Sequence, residues 1–155
     1  MIIMRHGPCS DEYNTDPHLS NEGIHIVTAF PIPRNWKIKT LITSPKNRAV
    51  DTAKIILPRF DFCKLLVEDN LREISPVALD YKCHPDYIRA SEVFQRIILR
   101  NLTRTDVLVI SHRNLMTFCL NLAKERRIPN KGDNEFDKFC SILEVGAFSL
   151  DTIDK

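Results

Sequence analysis

The sequence has almost no excess charge: 22 basic against 20 acidic residues leave a formal net charge of +2. Bulk attraction to a polyanion is therefore excluded as a basis for function. No run of basic residues interleaved with aromatics argues for nucleic acid as a partner either. Long apolar runs are missing. The stretch Met1 to Met4 is far too short for the hydrophobic region of a signal peptide, and no later stretch is long enough to span a bilayer, so no membrane association is expected. Paired cysteines are missing as well. Cys9, Cys63, Cys83, Cys119 and Cys140 are odd in number, and no two are spaced as C-x-x-C. That excludes a disulfide framework and a zinc ribbon, and the expectation is free thiols in a reducing cytoplasm. Repeats, low-complexity segments and linkers are absent, and 155 residues suit one domain, taken as residues 1–155.

What is present is a regular alternation of strand and helix patterns. Ile2 to Met4 reads as a short strand, and Ser20 as the cap of a helix over about Asn21 to Phe30, stopped by Pro31 and Pro33. Thr40 to Thr43 is a second strand. A helix comes next with Ala49, Ala53, Ile56 and Leu57 on one face, ended at Pro58. Leu65 to Val67 is a third strand, Asp69 to His84 a loop, and Asp86 to Leu99 a helix with Ala90, Phe94, Ile97 and Ile98 aligned. Val107 to Ile110 is the clearest buried strand, and Leu115, Phe118, Cys119, Leu122 and Ala123 make a helical face, with Cys119 as core. Asn130 to Asp137 reads as a loop and Ile142 to Leu150 as a last strand. The fold class is α/β: a three-layer sandwich whose mostly parallel central sheet carries helices on both faces.

Open α/β sheets bind ligands just beyond the carboxyl ends of their strands. Arg5 and His6 come after the first strand; Ser44, Pro45 and, a turn later, Arg48 come after the second; Ser111, His112 and Arg113 come after the Val107 to Ile110 strand. Three strand ends thus deliver His or Arg to one rim. Ser44 is a suitable N-cap and Pro45 a suitable first helical residue. Lys46 and Arg48 then sit where a cation opposes the helix dipole, at about 0.3–1 kcal/mol each. A bound anion would relieve that cost; Lys46 is read as facing water and Arg48 as facing the ligand.

These residues also resemble a known family. Arg5-His6-Gly7 after an N-terminal strand looks like the R-H-G signature of the histidine phosphatase superfamily, the phosphoglycerate mutase-like proteins. Leu19-Ser20-x-x-Gly23 resembles its L-[ST]-x-x-G helix start, and Ser44-Pro45-x-x-Arg48-Ala49-x-x-Thr52-Ala53 its S-P-x-x-R-A-x-x-T-A segment. Leu71-Arg72-Glu73-Ile74 resembles the acid-bearing loop of its broad-specificity phosphatases, and Val109-Ile110-Ser111-His112 the strand bearing its second histidine. The length resembles that of its short SixA-like phosphohistidine phosphatases.

The resemblance implies a phosphatase that acts on phosphomonoesters or protein phosphohistidine, with a covalent phosphohistidine on His6. The implied catalytic residues are His6, Glu73 and His112. Arg5, His6, Arg48 and His112 are the implied phosphate-binding residues. Neutral His6 attacks phosphorus while its other ring nitrogen is held, by a backbone carbonyl near Gly7. Arg5 and Arg48 offer paired donors to phosphate oxygens. Glu73 is the candidate general acid, with Asp69 and Asp80 as fallbacks. No metal or other cofactor is implied. The implied partner is a phosphorylated small molecule or a phosphoprotein, and oligomeric state is not read from the sequence.

Three departures touch the rim that reads the substrate: Pro8-Cys9-Ser10 after the R-H-G signature, with Asn14 late; Ser75-Pro76-Val77-Ala78 in place of a glycine-rich, Trp-containing stretch; and Arg113 where glycine is frequent. Arg113 and Asn114 either extend the phosphate pocket or, for Arg113, lie at the surface. His18, His25 and His84 are assigned to the surface or to structure, and Trp36 to the core rather than to a substrate platform. Two other readings share the pocket: a mutase-type phosphotransferase, whose family members are longer, and a non-catalytic phospho-ligand-binding module. A response-regulator-like domain would need acidic residues after the first strand, which has none.

Overall fold

In the computed structural model, which describes residues 1–10, 15–131, 136 and 138–146, the organising element is strand β4, Val107–Ser111. All five of its residues are buried. A fully buried, largely apolar strand of that kind needs neighbours on both edges and cover on both faces. It pairs in parallel with β1 (Ile2–Arg5) on one side and β2 (Thr40–Thr43) on the other. Strand β3 (Lys64–Val67) continues the parallel set beyond β2. On the far side, β6 (Ile142–Val145) runs antiparallel to β1, and β5 (Asn130–Lys131) antiparallel to β6. The sheet is six-stranded and mixed, in the order β3-β2-β4-β1-β6-β5.

Alternation along the strands divides the core in two. Ile3, Val107, Val109, Leu143 and Val145 face helices α3 (Pro85–Val93) and α4 (Arg113–Glu125), packing on Ala90, Val93, Leu115 and Phe118. Ile2, Met4, Leu41, Leu108 and Ile110 face α1 (Asn21–Ala29) and α2 (Asn47–Ile56), packing on Val27, Ala49, Ala53 and Ile56. This is the expected three-layer α/β arrangement. Trp36 is buried in the second layer and Cys119 in the first, both as core. No described helix is long and apolar enough to cross a membrane.

Several boundaries differ from expectation. Helix α2 starts at Asn47, with Lys46 rather than Ser44 at the cap position. The reason is that the Ser44 hydroxyl accepts from Lys46 N at 3.3 Å and pairs with a histidine at 2.8 Å, so it makes a local turn instead of a helix cap. The cap comes from a distance: Asp16 Oδ1 accepts from Asn47 N at 2.9 Å. The helix expected over Asp86 to Leu99 is α-helical to Val93 and then widens into a π turn over Phe94–Ile98, which keeps Phe94 and Ile98 in the core. The stretch read as a loop from Asp69 carries short 3₁₀ turns at Asp69–Leu71 and Pro76–Leu79. Strand β5 occupies the start of the segment read as a loop at Asn130. The last strand is seen from Ile142 to Val145; its expected continuation to Leu150, and Asn14, lie outside the described residues.

Candidate functional site

Strand register decides what meets. Arg5 pairs with Ser111 and Thr43 with Ile110, so β1, β2 and β4 end within one residue of one another. Each therefore releases its next residue at the same rim: His6, Ser44 and His112. The structure brings His6 and His112 together with their ring centroids 5.0 Å apart, edge to face. Arg48, on the first turn of α2, reaches the same place, with its Nε donating to His6 Nε2 at 3.1 Å.

His6 is held at both nitrogens. Nδ1 lies 2.6 Å from Gly7 O. A carbonyl can only accept, so Nδ1 carries the proton and Nε2 presents its lone pair towards Arg48. Gly7 is itself fixed, because its N–H donates to Thr52 Oγ1 at 3.1 Å while that hydroxyl donates to Arg48 O at 2.7 Å. One threonine thus ties the His6 loop to the helix turn bearing Arg48, and the buried Ala49 and Ala53 beside it let α2 lie against the sheet. On the other side, Ser20 caps α1 by accepting from Gly23 N at 2.9 Å. A Cβ on Gly23 would sit 2.2 Å from Pro8 O, so glycine is required there for the loop after His6 to pack on α1.

Charge tracks the geometry. Burial, which the Gly7 contact opposes and Arg48 and Arg5 reinforce, pushes the His6 pKa down to about 3. His112 is also held neutral, well below the ordinary histidine value, by burial and then by His6, Arg48, Lys46 and Arg5. Lys46, expected to face water, is half-buried, and its charge is felt at the site. His112 Nε2 meets Ser44 Oγ at 2.8 Å, whereas its buried Nδ1 has no hydrogen-bond partner. A buried polar nitrogen left unpaired costs about 1–3 kcal/mol, an expense that proteins accept mainly at functional sites.

Arg5 ends β1, its Nη1 donating to Phe136 O at 2.9 Å and its guanidinium lying 4.2 Å from the centroid of the Phe139 ring. Phe139 also packs on His6, with ring centroids 5.9 Å apart. The rule that ligand-facing residues lie just beyond strand ends misses Phe139. Because β6 runs antiparallel to β1, it is the segment before β6 that reaches the rim. A cavity of about 760 Å³ opens between α1 and residues 138–142, and Phe139 is the wall it shares with the histidine site.

Glu73 lies at the start of the helix that follows His112. Its Oε1 accepts from Ile74 N at 3.0 Å and Leu115 N at 3.3 Å, and its Oε2 from Asn114 N at 3.4 Å. The carboxyl thus sits at the amino end of α4, the helix that starts directly after His112. Burial raises its pKa, and the three backbone contacts and Arg48 only oppose that. The fallback acids Asp69 and Asp80 are exposed. Asn114, weighed as a phosphate contact, instead steadies this loop, its Nδ2 donating to Ile74 O at 3.0 Å. Arg113 is exposed. His18 pairs with Asp51 at 2.7 Å at the surface, His25 is exposed, and His84 caps α3 through Asp86 N.

Arg48 opposes the α2 dipole less than expected. An acidic group already stands at the start of the helix: the Asp16 carboxylate caps Asn47 N and lies 3.9 Å from Arg48 Nη1. Asp16 therefore relieves part of the opposition that a ligand was expected to relieve.

This architecture is shared with solved phosphatase structures. The chain is similar to a phosphoserine phosphatase from Entamoeba histolytica in complex with 3-phosphoglyceric acid (18% identity, 80% of this chain and 79% of that one, TM-score 0.59). It is similar to the protein histidine phosphatase SixA complexed with tungstate (21% identity, 77% and 72%, TM-score 0.52). It is also similar to a mycobacterial glucosyl-3-phosphoglycerate phosphatase (15% identity, 96% and 98%, TM-score 0.54). At these identities the likeness is one of fold. No curated protein sequence matches the chain. The family model of the histidine phosphatase superfamily (branch 1) matches residues 1–85, more than half of the 155 residues. The chain belongs to the histidine phosphatase superfamily. The matched segment contains Arg5, His6, Arg48 and Glu73; His112 lies beyond it.

Proposed function

We propose that this chain is a one-domain phosphatase of the short, SixA-like kind, hydrolysing phosphomonoesters or protein phosphohistidine through a phosphohistidine on His6. The observation that carries the reading is the state of His6: neutral, with Nδ1–H fixed on Gly7 O and the Nε2 lone pair facing the Arg48 guanidinium. An imidazole so held is a nucleophile aimed at whatever anion the arginines bind.

In the first half-reaction, the phosphate oxygens take donors from Arg5, Arg48 and His112. Arg48 Nε–H passes from His6 Nε2 to a phosphate oxygen, and the freed Nε2 lone pair forms a bond to phosphorus while the bond to the leaving oxygen breaks and Glu73 gives that oxygen its proton. In the second, Glu73 takes a proton from water, the water oxygen bonds to phosphorus, and the N–P bond returns its electrons to His6. Positioning and charge stabilisation supply most of the rate in phosphoryl transfer. The unpaired His112 Nδ1 supports this: with the Ser44 hydroxyl donating to Nε2, Nδ1 carries a buried N–H that a phosphate oxygen can accept.

Glu73→Gln tests the proton step. Loss on an alkyl phosphate should reach about 10²-fold or more, because an alkoxide leaves only with help from an acid. Loss on para-nitrophenyl phosphate should be much smaller. Since burial raises the folded pKa of Glu73, its acid form persists to higher pH than that of an ordinary glutamate, and alkyl phosphatase activity falls as pH rises through the folded pKa. Equal losses on the two substrates would remove Glu73 from the proton transfer. A panel of phosphohistidine protein, sugar phosphates and phosphoserine peptides, assayed for released phosphate, decides among substrate classes. A protein that binds phosphate with no turnover on any of them would be a binding module, and net transfer between two positions of one substrate would make it a mutase.

A further inference from the structure

Glu73 sits in a segment with little regular structure, yet its main chain is gripped from α3. Arg89 Nη1 donates to Asn70 O at 2.7 Å and to Arg72 O at 2.8 Å. Its Nη2 donates to Glu73 O at 3.0 Å and to Asp86 Oδ1 at 2.8 Å. The other Asp86 oxygen accepts from Ser75 N at 2.9 Å. Asp86 is fixed in turn, its own N–H donating to His84 Nδ1 at 3.1 Å. One guanidinium and its carboxylate partner therefore hold the loop on both sides of Glu73, from Asn70 to Ser75. The Arg89 side chain is partly buried, at 16% exposure, and its bonds to the loop are charge-assisted.

We propose that Arg89, steadied by Asp86, is the positioning residue for Glu73, setting where its carboxyl lies relative to the leaving oxygen; this rests on reading Glu73 as the proton donor. Glu73 is then held at two points. Its carbonyl is tied to α3 by Arg89, and its carboxyl is tied to the first amides of α4, next to His112. With both ends fixed, the side chain has little freedom to leave the site. A planar guanidinium can serve three carbonyls and a carboxylate at once, which a lysine ammonium cannot do in the same directions.

The test is Arg89→Met, with Arg89→Lys as the milder variant should the first fail to fold, each checked by thermal melting. A misplacement of about 1 Å costs about 10²-fold when a reacting group is involved. The expected result is that kcat on an alkyl phosphate falls by about that factor with KM little changed, while para-nitrophenyl phosphate loses far less. The basic limb of the alkyl phosphatase pH profile should also move to lower pH as water reaches the loosened carboxyl. Combined with Glu73→Gln, the Arg89 variant should cost nothing further on the alkyl substrate, because the two act through one group. Equal losses on both substrates, a change confined to KM, or additive losses in the double variant would overturn the proposal. The Glu73 reading fails separately, if Glu73→Gln alone hurts both substrates equally.

Discussion

His6→Ala abolishes turnover of para-nitrophenyl phosphate, with kcat falling by about 10⁴-fold or more, the order seen when a covalent nucleophile is removed. The substitution deletes the lone pair that attacks phosphorus and leaves the arginines with an anion that has nothing to react with. Phosphate or tungstate should therefore still protect the variant against thermal unfolding while activity is gone. The wild-type enzyme, mixed with substrate and quenched in alkali, where phosphohistidine persists, should carry phosphate on His6. Label on Cys9, whose Sγ lies 4.0 Å from His6 Nδ1, would instead make the thiol the nucleophile. Burial raises the Cys9 pKa, which argues against thiolate chemistry there. With the His6 pKa depressed to about 3, protonation of His6 should not produce an acid limb in kcat/KM at any pH above about 4. An acid limb near 6.5 would mean that the ring is far more hydrated than its burial implies.

Arg48→Ala is the second large effect: kcat/KM should fall by about 10³-fold, or about 4 kcal/mol, the scale on which a single arginine stabilises a transferring phosphoryl group. Arg48 has two tasks. Before substrate binds, its Nε–H holds the His6 ring by the Nε2 lone pair; with phosphate bound, its guanidinium donates to the phosphoryl oxygens and opposes the charge building there. Arg48→Lys keeps the charge and loses the paired donors, so it should recover only part of the rate. Arg48 also bears on the neutrality of both histidines. Without it their pKa values rise, while burial, the larger cause, still holds both below the ordinary histidine value. A variant with near-normal kcat/KM would show that another cation binds the phosphate.

How much of this could be read from the residues depended on whether the controlling contact was local. Ser20 as a helix cap, the buried Val107 to Ile110 strand, which extends one residue further to Ser111, and the convergence of three strand ends on one rim come from short-range pattern, and each is found. The string similarities acquire physical reasons once the fold is seen. Gly23 leaves room for Pro8 O, and Thr52 bonds both Gly7 N and Arg48 O. What the sequence hid was long-range. The cap of α2 comes from Asp16, 31 positions before Asn47. Strand direction was not legible either. An antiparallel β6 delivers Phe139 ahead of the strand instead of behind it, which no period in residues 142–145 announces. Arg89 lies 16 positions after Glu73, on a helix face that reads simply as polar. Ser44 misled for a physical reason, since a serine before a proline-led helix is a good cap unless a buried histidine claims its hydroxyl, as His112 does.

One departure from the family pattern, Pro8-Cys9-Ser10, lies directly after Gly7. Pro8 O accepts from Ser20 N at 3.0 Å and Cys9 bridges to Leu19, so the run after Gly7 is tied to the start of α1 while His6 meets Arg48.

The most direct measurement is a crystal structure of the protein with bound orthovanadate. The prediction is vanadium bonded to His6 Nε2, its oxygens receiving hydrogen bonds from Arg5, Arg48 and His112 Nδ1, with the Glu73 carboxyl beside the apical oxygen. Vanadate bonded to Cys9, or seated where fewer than two of Arg5, Arg48 and His112 touch it, would contradict the account.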